Sequence, residues 1–374
     1  MTAAAIVAPA GALPPLTVRA VETVAVTVPM RFALGTSAAT VREAPLLLID
    51  VLTREGITGR SYLFCYRPSG SVAIAAVLRE AVGLIAGDRV TPLTIAAKLE
   101  RRYALIGVTG VVRMALSALD MALWDALAVA ARLPLVAMLG AAPRPLPAYN
   151  SCGLGLMKPE AAADEAEQLL EGGFRAVKLR LGYATLAEDL AVTRAVRRRL
   201  ADSIAVMVDY NQALTVAEAM ARGRALADEG VYWIEEPIRH DDMVGYARLA
   251  GTLALPVQIG ENFDGAKAMT AALDAAACDF VMPDAGRIGG VTGWLQAAGV
   301  AASHDVEMSS HLLPEASAHL LAATPTAHWL EYVDWANAIL AAPLTIRDGC
   351  AMASSAPGAG IAWNDEAVAR YRTP

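Results

Sequence analysis

The stretch Ala205-Val206-Met207-Val208-Asp209 is a short apolar run that ends in a carboxylate, and this pattern recurs through the middle of the chain. Successive runs end in a polar or charged residue at steps of 31, 26, 26, 23, 27 and 20 residues, and those residues are Lys178, Asp209, Glu235, Glu261, Asp284, His311 and Glu331. A strand followed by a helix needs about this many residues, and a TIM barrel brings the C-terminal ends of its strands to one face. The sequence therefore predicts a (β/α)-barrel over residues 141–340.

A doubly wound open sheet is the alternative, because it has the same alternation of strands and helices. An open sheet places its functional groups at the one point where its strand order reverses. In this chain, seven successive units each end in a functional group. Before the barrel, alternating apolar positions in 18–28 and 46–52 predict antiparallel strands, and helical patterns follow, so residues 1–140 are expected to form an α+β domain. Residues 341–374 are expected to return to that domain.

The composition excludes several classes of protein. The chain has 374 residues, of which 56% are apolar and 18% charged, so it is not disordered. A net charge of −7 argues against binding to nucleic acid or to an anionic membrane surface. Met1–Pro15 has no cationic stretch and makes a poor signal peptide, and the long apolar stretches are interrupted by charge. We expect a cytoplasmic enzyme without a membrane partner.

The four cysteines point to no particular chemistry. Cys65, Cys152, Cys278 and Cys350 lie far apart and form no CxxC pair. This spacing fits neither a disulfide framework nor a zinc site built from thiolates.

Three of the predicted strand ends carry acids. Asp209, Glu235 and Glu261 follow consecutive strands and would converge at the mouth of a barrel. Like charges repel strongly at low dielectric, so three ionised carboxylates in one place need a cation, and oxygen ligands without His or Cys suit Mg²⁺ rather than Zn²⁺. The alternative is that each acid is paired separately with Arg or Lys.

The cations and the histidine suggest an anionic substrate and a base. Lys178 and Arg180 are two positions apart on a strand and therefore share a face, where they would lower each other's pKa and attract a carboxylate, or else neutralise the acids directly. Asp284 and His311 end two neighbouring units. An aspartate that accepts a hydrogen bond from a histidine raises its basicity, which makes His311 a candidate general base.

The segments around these residues resemble the mandelate racemase subgroup of the enolase superfamily, and the resemblance covers nearly the whole chain. It rests on Lys178-Leu179-Arg180, 208–212, 233–237, 260–262, 283–284 with Gly289-Gly290, 309–312, 118–125 and 318–331. It implies an α+β capping domain over a modified TIM barrel, Mg²⁺ held at Asp209, Glu235 and Glu261, and commonly a homo-oligomer. It also implies removal of the proton α to the carboxylate of a small 2-hydroxy acid, through a metal-stabilised enediolate.

The resemblance also implies roles for single residues. Lys178 would contact the substrate carboxylate with help from the hydroxyl of Ser151, and His311 would act on one face of the α-carbon. Glu331 would donate a proton or hydrogen bond to the enediolate and should therefore be protonated in a partly buried site. Asn211 would support the metal or the substrate.

Arg180 departs from the family pattern, because mandelate racemases have a second lysine there as the base on the opposite face. A guanidinium keeps its proton and is a poor base. The first prediction is a racemase-like isomerisation that uses His311 and the Lys178/Arg180 side. The alternative is dehydration of a sugar acid by β-elimination, with His311 as the one base.

The capping domain should contribute to the pocket. Phe64 and Tyr66 are expected to reach the mouth of the barrel, where an apolar lining suits an aryl or alkyl group, although the same stretch could be plain domain-interface core. Arg31, Arg42 and Arg67 lie nearby in sequence and could serve a diacid.

Overall fold

The first part of the chain is an antiparallel sheet covered by helices. A computed structural model describes residues 15–36 and 40–373, so the N-terminal segment assessed for a signal peptide lies almost wholly outside the described residues. The sheet has the order β1-β2-β3, with β1 at Val18–Gly35, β2 at Thr40–Thr53 and β3 at Thr58–Phe64. Six consecutive residues of the central strand, Ala44–Ile49, are buried, because β2 is paired on both edges and packs against the helices at Pro68–Ile85 and Gly110–Ala131.

Four helices follow the sheet: α1 (Pro68–Ile85), α2 (Pro92–Tyr103), α3 (Gly110–Ala131) and α4 (Leu135–Met138). Both α1 and α3 are long and apolar enough to cross a membrane by length and composition alone. Most of α3 is buried against β3, α1 and the barrel helices, as expected of a core helix in a soluble fold. Length and apolar composition alone are therefore weak evidence that a helix spans a membrane.

The second part is a barrel of eight parallel strands. They are β4 (Leu146–Asn150), β5 (Ala176–Arg180), β6 (Ala205–Asp209), β7 (Ile234–Glu235), β8 (Val257–Ile259), β9 (Phe280–Val281), β10 (Glu307–Met308) and β11 (Leu330–Tyr332). The barrel closes because β4 pairs with both β5 and β11, while the Met308 N–H of β10 donates to the carbonyl of Thr326, 2.8 Å away, just before β11. The predicted fold class, a capping domain with a modified TIM barrel, is confirmed.

Helices connect the barrel strands. They are α5 (Pro159–Leu169), α6 (Leu186–Arg199), α7 (Val216–Ala227), α8 (Met243–Ala250), α9 (Ala266–Asp274), α10 (Ala285–Ile288), α11 (Gly290–Ser303) and α12 (Pro314–Ala322). Local sequence explains where some of them begin. Thr185 and Thr215 cap α6 and α7, and each accepts a hydrogen bond from the backbone of a glutamate three residues later, which completes a capping box.

The floor of the barrel is filled by side chains. Tyr149, Ala176, Met207 and Trp233 form a fully buried layer, and the rings of Tyr149 and Trp233 meet edge to face with centroids 5.5 Å apart. Such a layer makes the barrel a packed core rather than a pore. Reactive groups can therefore be reached only from the end that faces the capping domain.

The two parts and the chain end are joined by polar contacts. Asp120 of α3 accepts hydrogen bonds from the backbone and hydroxyl of Thr292 in α11, at 2.9 and 2.6 Å. After β11 come a 3-10 helix (Asn337–Ile339), β12 (Ile346–Arg347), β13 (Cys350–Ala351) and α13 (Asp365–Tyr371). The strand β13 pairs with β4, and the Thr373 N–H donates to the Ala25 carbonyl of β1, 2.9 Å away.

We expect a histidine remote from the barrel mouth to make stability depend on pH. His319 of α12 is fully buried, its Nδ1 accepts the Val136 N–H at 3.1 Å, and burial lowers its pKa from 6.5 to about 4. The unfolded chain therefore takes up a proton first, and folding stability is lost as the pH falls from about 6.5 towards 4, by up to about 3 kcal/mol.

The test is the free energy of unfolding of the wild type and His319→Asn, measured in urea between pH 7 and pH 4.5. The asparagine keeps an oxygen acceptor for the Val136 N–H but does not titrate, so its profile should be flatter. If the free energy of unfolding of both proteins depended on pH in the same way, His319 would not be the cause of the loss at low pH.

Candidate active site

A cavity of about 760 Å³ lies between the capping domain and the mouth of the barrel. The barrel wall consists of Lys178, Arg180, Asp209, Asn211, Glu261, His311, Leu312, Glu331 and Trp335. The capping wall consists of Leu34, Thr36, Thr40, Val41, Arg42, Glu43, Phe64, Tyr66 and Arg67. Most side chains singled out by the sequence therefore meet in one place, because parallel barrel strands end on one face.

Lys178 is the buried cation at the base of the cavity. Its Nζ lies 2.5 Å from Glu235 Oε1, 2.7 Å from Glu331 Oε1 and 3.5 Å from Asp209 Oδ2. Burial alone would lower the pKa of Lys178, but the three carboxylates outweigh it and raise the pKa above its usual value. Arg180 lowers the pKa of Lys178 as the sequence suggested, but these nearer anions outweigh that effect.

Glu331 also differs from expectation. It is fully buried, and it accepts hydrogen bonds from Ser151 Oγ at 2.7 Å and from the Leu312 N–H at 2.8 Å. Burial raises the pKa of Glu331, but Lys178 and His311 outweigh that effect and hold the pKa below its usual range. The carboxyl is therefore fully rather than partly buried, and the charges around it favour its ionised form over the protonated form expected from the sequence.

His311 and Asp284 form the expected pair. His311 Nδ1 donates to Asp284 Oδ2 at 2.8 Å, which leaves Nε2 on the side of Glu261, 3.1 Å from its Oε2. Burial lowers the pKa of His311, but Glu331 and Glu261 raise it well above its usual value, and the bond to Asp284 adds to this. The imidazole is therefore oriented by one carboxylate, and its basicity depends on how the charge of the others is balanced.

Arg180 is held by the backbone at the end of β4. Its Nη1 donates to the carbonyls of Ser151 and Gly153 at 2.7 and 3.0 Å, and its Nη2 donates to Ser151 Oγ at 2.8 Å. Ser151 is fully buried and bridges Arg180 to Glu331 rather than lining the cavity. The structure therefore does not bring the Ser151 hydroxyl to the wall where substrate contact was expected.

The three acids assigned to a metal lie at two depths. Asp209 and Glu261 line the cavity, whereas Glu235 lies beneath it, where burial raises its pKa to about 8 despite the opposing charge of Lys178. For Glu261, the charge of His311 outweighs the effect of burial and lowers the pKa to about 2. As placed, no three His, Cys, Asp or Glu side chains among the described residues form a group that could hold a metal.

The chemistry of the donors nevertheless fits a divalent cation. Asp209, Glu235 and Glu331 surround Lys178, and Glu261 lies beside His311, so carboxylate oxygens are the main donors of this site. The neighbouring amide oxygen of Asn211, Oδ1, is buried without a hydrogen-bond partner, while its Nδ2 donates to Asp209 Oδ2 at 3.0 Å. Carboxylate oxygens and an unused amide oxygen are the ligands that a hard, oxygen-binding cation requires.

Aromatic residues form the apolar side of the cavity. Phe64 and Tyr66 reach it as predicted, and the Phe64 ring lies 4.7 Å from both Tyr66 and Trp335. Trp335 was missed because it follows the last strand in an irregular segment that has no periodic pattern. Arg42 and Arg67 line the cavity, whereas Arg31 points elsewhere and lies 3.9 Å from Glu171.

Comparison with known proteins agrees with this architecture. Residues 18–140 match the model of the mandelate racemase / muconate lactonizing enzyme N-terminal domain, and residues 161–367 match that of the enolase C-terminal domain-like family. The chain is 32% identical over 326 residues to L-talarate/galactarate dehydratase of Salmonella typhimurium. The matched region covers 87% of this chain and 82% of that protein.

Two solved structures are similar over almost the whole chain. An enolase of the alpha proteobacterium BAL199 with bound magnesium has a TM-score of 0.94 and 42% identity, over 96% of this chain and 100% of that one. An enolase from Bradyrhizobium complexed with magnesium and mandelic acid has a TM-score of 0.92 and 40% identity, over 97% of this chain and 100% of that one.

We expect Lys178→Met to destabilise the protein by about 3–5 kcal/mol in buffer containing EDTA, because it leaves buried carboxylates without their countercharge. Without the ammonium, the folded-state pKa values of Glu235 and Glu331 rise, so the loss should grow as the pH increases from 5 to 8. The measurement is urea unfolding at both pH values.

Lys98→Met is the matched control, because Lys98 Nζ lies 2.6 Å from Asp88 Oδ2 in a solvent-exposed pair. Removing this pair should cost less than about 1 kcal/mol. Equal losses in the two variants would show that the buried ammonium is not needed for charge balance.

Proposed function

The chain belongs to the mandelate racemase / muconate lactonizing enzyme family of the enolase superfamily, and on that premise we propose that it is a Mg²⁺-dependent dehydratase of a hydroxylated carboxylic acid. Relatives in this family are dehydratases, cycloisomerases and racemases, so the chain is an enzyme of this superfamily. Which of these reactions it performs depends on how many bases face the substrate.

One observation carries the choice of dehydration: the Arg180 guanidinium is bound to Ser151 and Gly153. Racemisation requires a proton to be taken from one face of the α-carbon and returned on the other. Arg180 stands where a second base would be needed, but a guanidinium keeps its proton, and this one is also fixed by three hydrogen bonds. His311 remains as the single base in the wall, which favours β-elimination.

Asp209, Glu235 and Glu261 would hold the metal, and Asn211 would support the metal or a substrate hydroxyl through its unpaired Oδ1. When bound, Mg²⁺ supplies positive charge that stabilises the second negative charge developing on the substrate carboxylate as the α-proton leaves. Lys178, beside Glu235 and Glu331, offers its ammonium to the same carboxylate.

His311 performs the proton transfers. Its Nε2 is neutral once the charges of Glu261 and Glu331 are balanced, and it then takes the α-proton while Asp284 holds Nδ1–H and stabilises the imidazolium that forms. The β-hydroxyl then leaves, and its C–O bond breaks as the same imidazolium returns the proton to form water. The resulting enol becomes a 2-keto acid when its hydroxyl proton is lost to solvent and C3 takes one up, so His311 accounts for both proton transfers of the elimination itself. Glu331, ionised and bonded to Ser151, helps to hold Lys178 in position.

A racemase-like isomerisation is the second candidate. It is favoured by the apolar part of the wall, formed by Leu34, Phe64, Leu312 and Trp335, and by the similar Bradyrhizobium structure that contains mandelic acid. An aryl group would pack well there. Protonated Arg180 or Lys178 would have to return the proton on the second face.

We also propose that residues 1–140 act as the cap, 141–340 as the catalytic barrel and 341–374 as a segment that returns to the cap. The hydrogen bond between Thr373 and Ala25 supports the last point. A small-molecule carboxylate as the partner is supported by the acids in the name of the similar talarate/galactarate dehydratase, and we further propose a cytoplasmic location and a homo-oligomeric state.

We expect Mg²⁺ to raise the melting temperature of protein that has been treated with EDTA, since a ligand that binds only the folded state stabilises it by about 2.7 kcal/mol at 100 times its Kd. Asp209→Asn and Glu261→Gln should abolish most of the shift. Asp164→Asn, at an exposed carboxylate of α5, is the control and should keep it. The same shift in all four proteins would contradict the proposed metal ligands.

We expect the wild type to convert a sugar acid to a 2-keto product without forming the C2 epimer, as measured by NMR in D₂O and by trapping the ketone. His311→Asn should lower the rate at least about 10³-fold because the base is lost. Arg180→Lys should gain exchange or epimerisation on the opposite face. His240→Asn is the control, because this histidine is exposed and contacts Gln212.

Two outcomes would count against dehydration. Interconversion of both mandelate enantiomers by the wild type, with solvent deuterium incorporated into each, would establish two bases and the racemase alternative. Full activity in His311→Asn would remove the proposed base.

A further inference from the structure

The barrel helix α11 begins without a capping side chain of its own. Its N-cap position is Gly289, which has a φ of 109° and no side chain that accepts a hydrogen bond from the first turn. The acceptor comes from the capping domain instead. The carboxyl group of Asp120 in α3 accepts the Thr292 N–H at Oδ2, 2.9 Å away, and the Thr292 hydroxyl at Oδ1, 2.6 Å away. One domain therefore caps a helix of the other.

The contact between α3 and the start of α11 is tight. Gly290 also has a positive φ, 68°, and a Cβ there would lie 2.5 Å from Asp120 Oδ2 and 2.6 Å from the Ser117 carbonyl oxygen. The indole N–H of Trp124, one turn further along α3, donates to the Thr292 hydroxyl at 3.0 Å. Position 290 therefore requires glycine, both for its backbone conformation and for the close approach of α3.

The turn held by Asp120 is continuous with the residue that orients His311. Asp284 precedes α10, whose four residues lead directly into Gly289. Asp284 Oδ1 accepts the Gly286 N–H of α10 at 2.6 Å, and Asp284 Oδ2 accepts His311 Nδ1–H at 2.8 Å. A single helical turn is not stable by itself, so the position of α10 depends on what holds its two ends. The strand β9 precedes one end, and α11 follows the other.

We propose that Asp120 is a positioning residue for the Asp284–His311 pair. By capping α11 from the capping domain it fixes α10, and through α10 it fixes the Asp284 carboxylate that holds His311. This inference rests on the proposed function, in which His311 takes the α-proton. A misplacement of about 1 Å can lower the rate of such a step about 100-fold. Docking of the capping domain is then required for proton transfer as well as for closing the cavity.

Asp125 of the same helix offers a matched control. It is as buried as Asp120, and its carboxyl group also accepts two hydrogen bonds, from the backbone N–H groups of Arg60 at 2.8 Å and Ala359 at 2.7 Å. These partners belong to the capping sheet and to the C-terminal segment, and neither leads to Asp284. Removing either carboxyl group leaves two buried donors without an acceptor, so the fall in melting temperature should be similar for both.

The first measurement follows the hydrogen bond itself and needs no substrate. His311 Nδ1–H donates to a carboxylate, so its proton NMR resonance should lie far downfield and should be absent in His311→Asn. We expect this resonance to shift upfield or disappear in Asp120→Ala and to stay in place in Asp125→Ala. Asp120→Asn and Thr292→Val are milder changes that should move the resonance in the same direction even if an alanine variant fails to fold.

The second measurement follows proton transfer. In D₂O with Mg²⁺, the wild type should exchange the α-proton of one mandelate enantiomer, because His311 faces one side of the α-carbon. The rate constant at saturation should fall about 10–100-fold in Asp120→Ala, with KM nearly unchanged, since other residues contact the substrate. Asp125→Ala should exchange at the wild-type rate. The rise in melting temperature caused by Mg²⁺ should be the same in both variants.

Two outcomes would overturn the inference. One is an unchanged resonance in Asp120→Ala and in both milder variants. The other is an equal loss of the resonance in Asp125→Ala, which would mean that any weakening of α3 disturbs the site. Failure of the proposed function is a separate result: full activity in His311→Asn would remove the base, whereas the resonance would still show whether Asp120 positions the Asp284–His311 pair.

Discussion

The site depends on the burial of one ammonium group among carboxylates. Lys178 Nζ lies within 3.5 Å of Asp209, Glu235 and Glu331, and all four side chains are almost completely removed from solvent. Taking such charges out of water is costly unless each finds an opposite charge and hydrogen bonds. The barrel meets this requirement by delivering one charged side chain from each successive strand to the same small volume.

The remaining contacts follow from that constraint. The Ser151 hydroxyl donates to Glu331 and accepts from Arg180, and Asp284 accepts from His311. Each of these three side chains is therefore held in place by a hydrogen-bond partner. Several carboxylates share this volume with Lys178, which explains why a chain with a net charge of −7 can prepare a site for an anion once a cation is bound. Catalysis and cation binding thus share the same carboxylates.

The capping domain contributes different chemistry. Its strands bring Phe64, Tyr66, Arg42 and Arg67 over the barrel mouth, while the barrel supplies the acids and the base. Parallel barrel strands repeat with a regular period, so their ends can be located from sequence. The cap residues come from turns and strand ends with no such period, and Trp335 comes from an irregular segment. Their meeting depends on how the two parts pack.

The sequence by itself determined the barrel, the α+β cap and the convergence of Asp209, Glu261, His311 and Glu331, because the spacing of strand ends is a property of the chain. It overlooked β4 as the first barrel strand, since that strand carries no charged residue at its end. The tertiary structure alone decided that Glu331 is fully buried against Lys178, that Ser151 turns away from the cavity and that Arg180 is fixed. These outcomes depend on distances between side chains far apart in sequence, and a pKa or a hydrogen bond is set by those distances rather than by residue type.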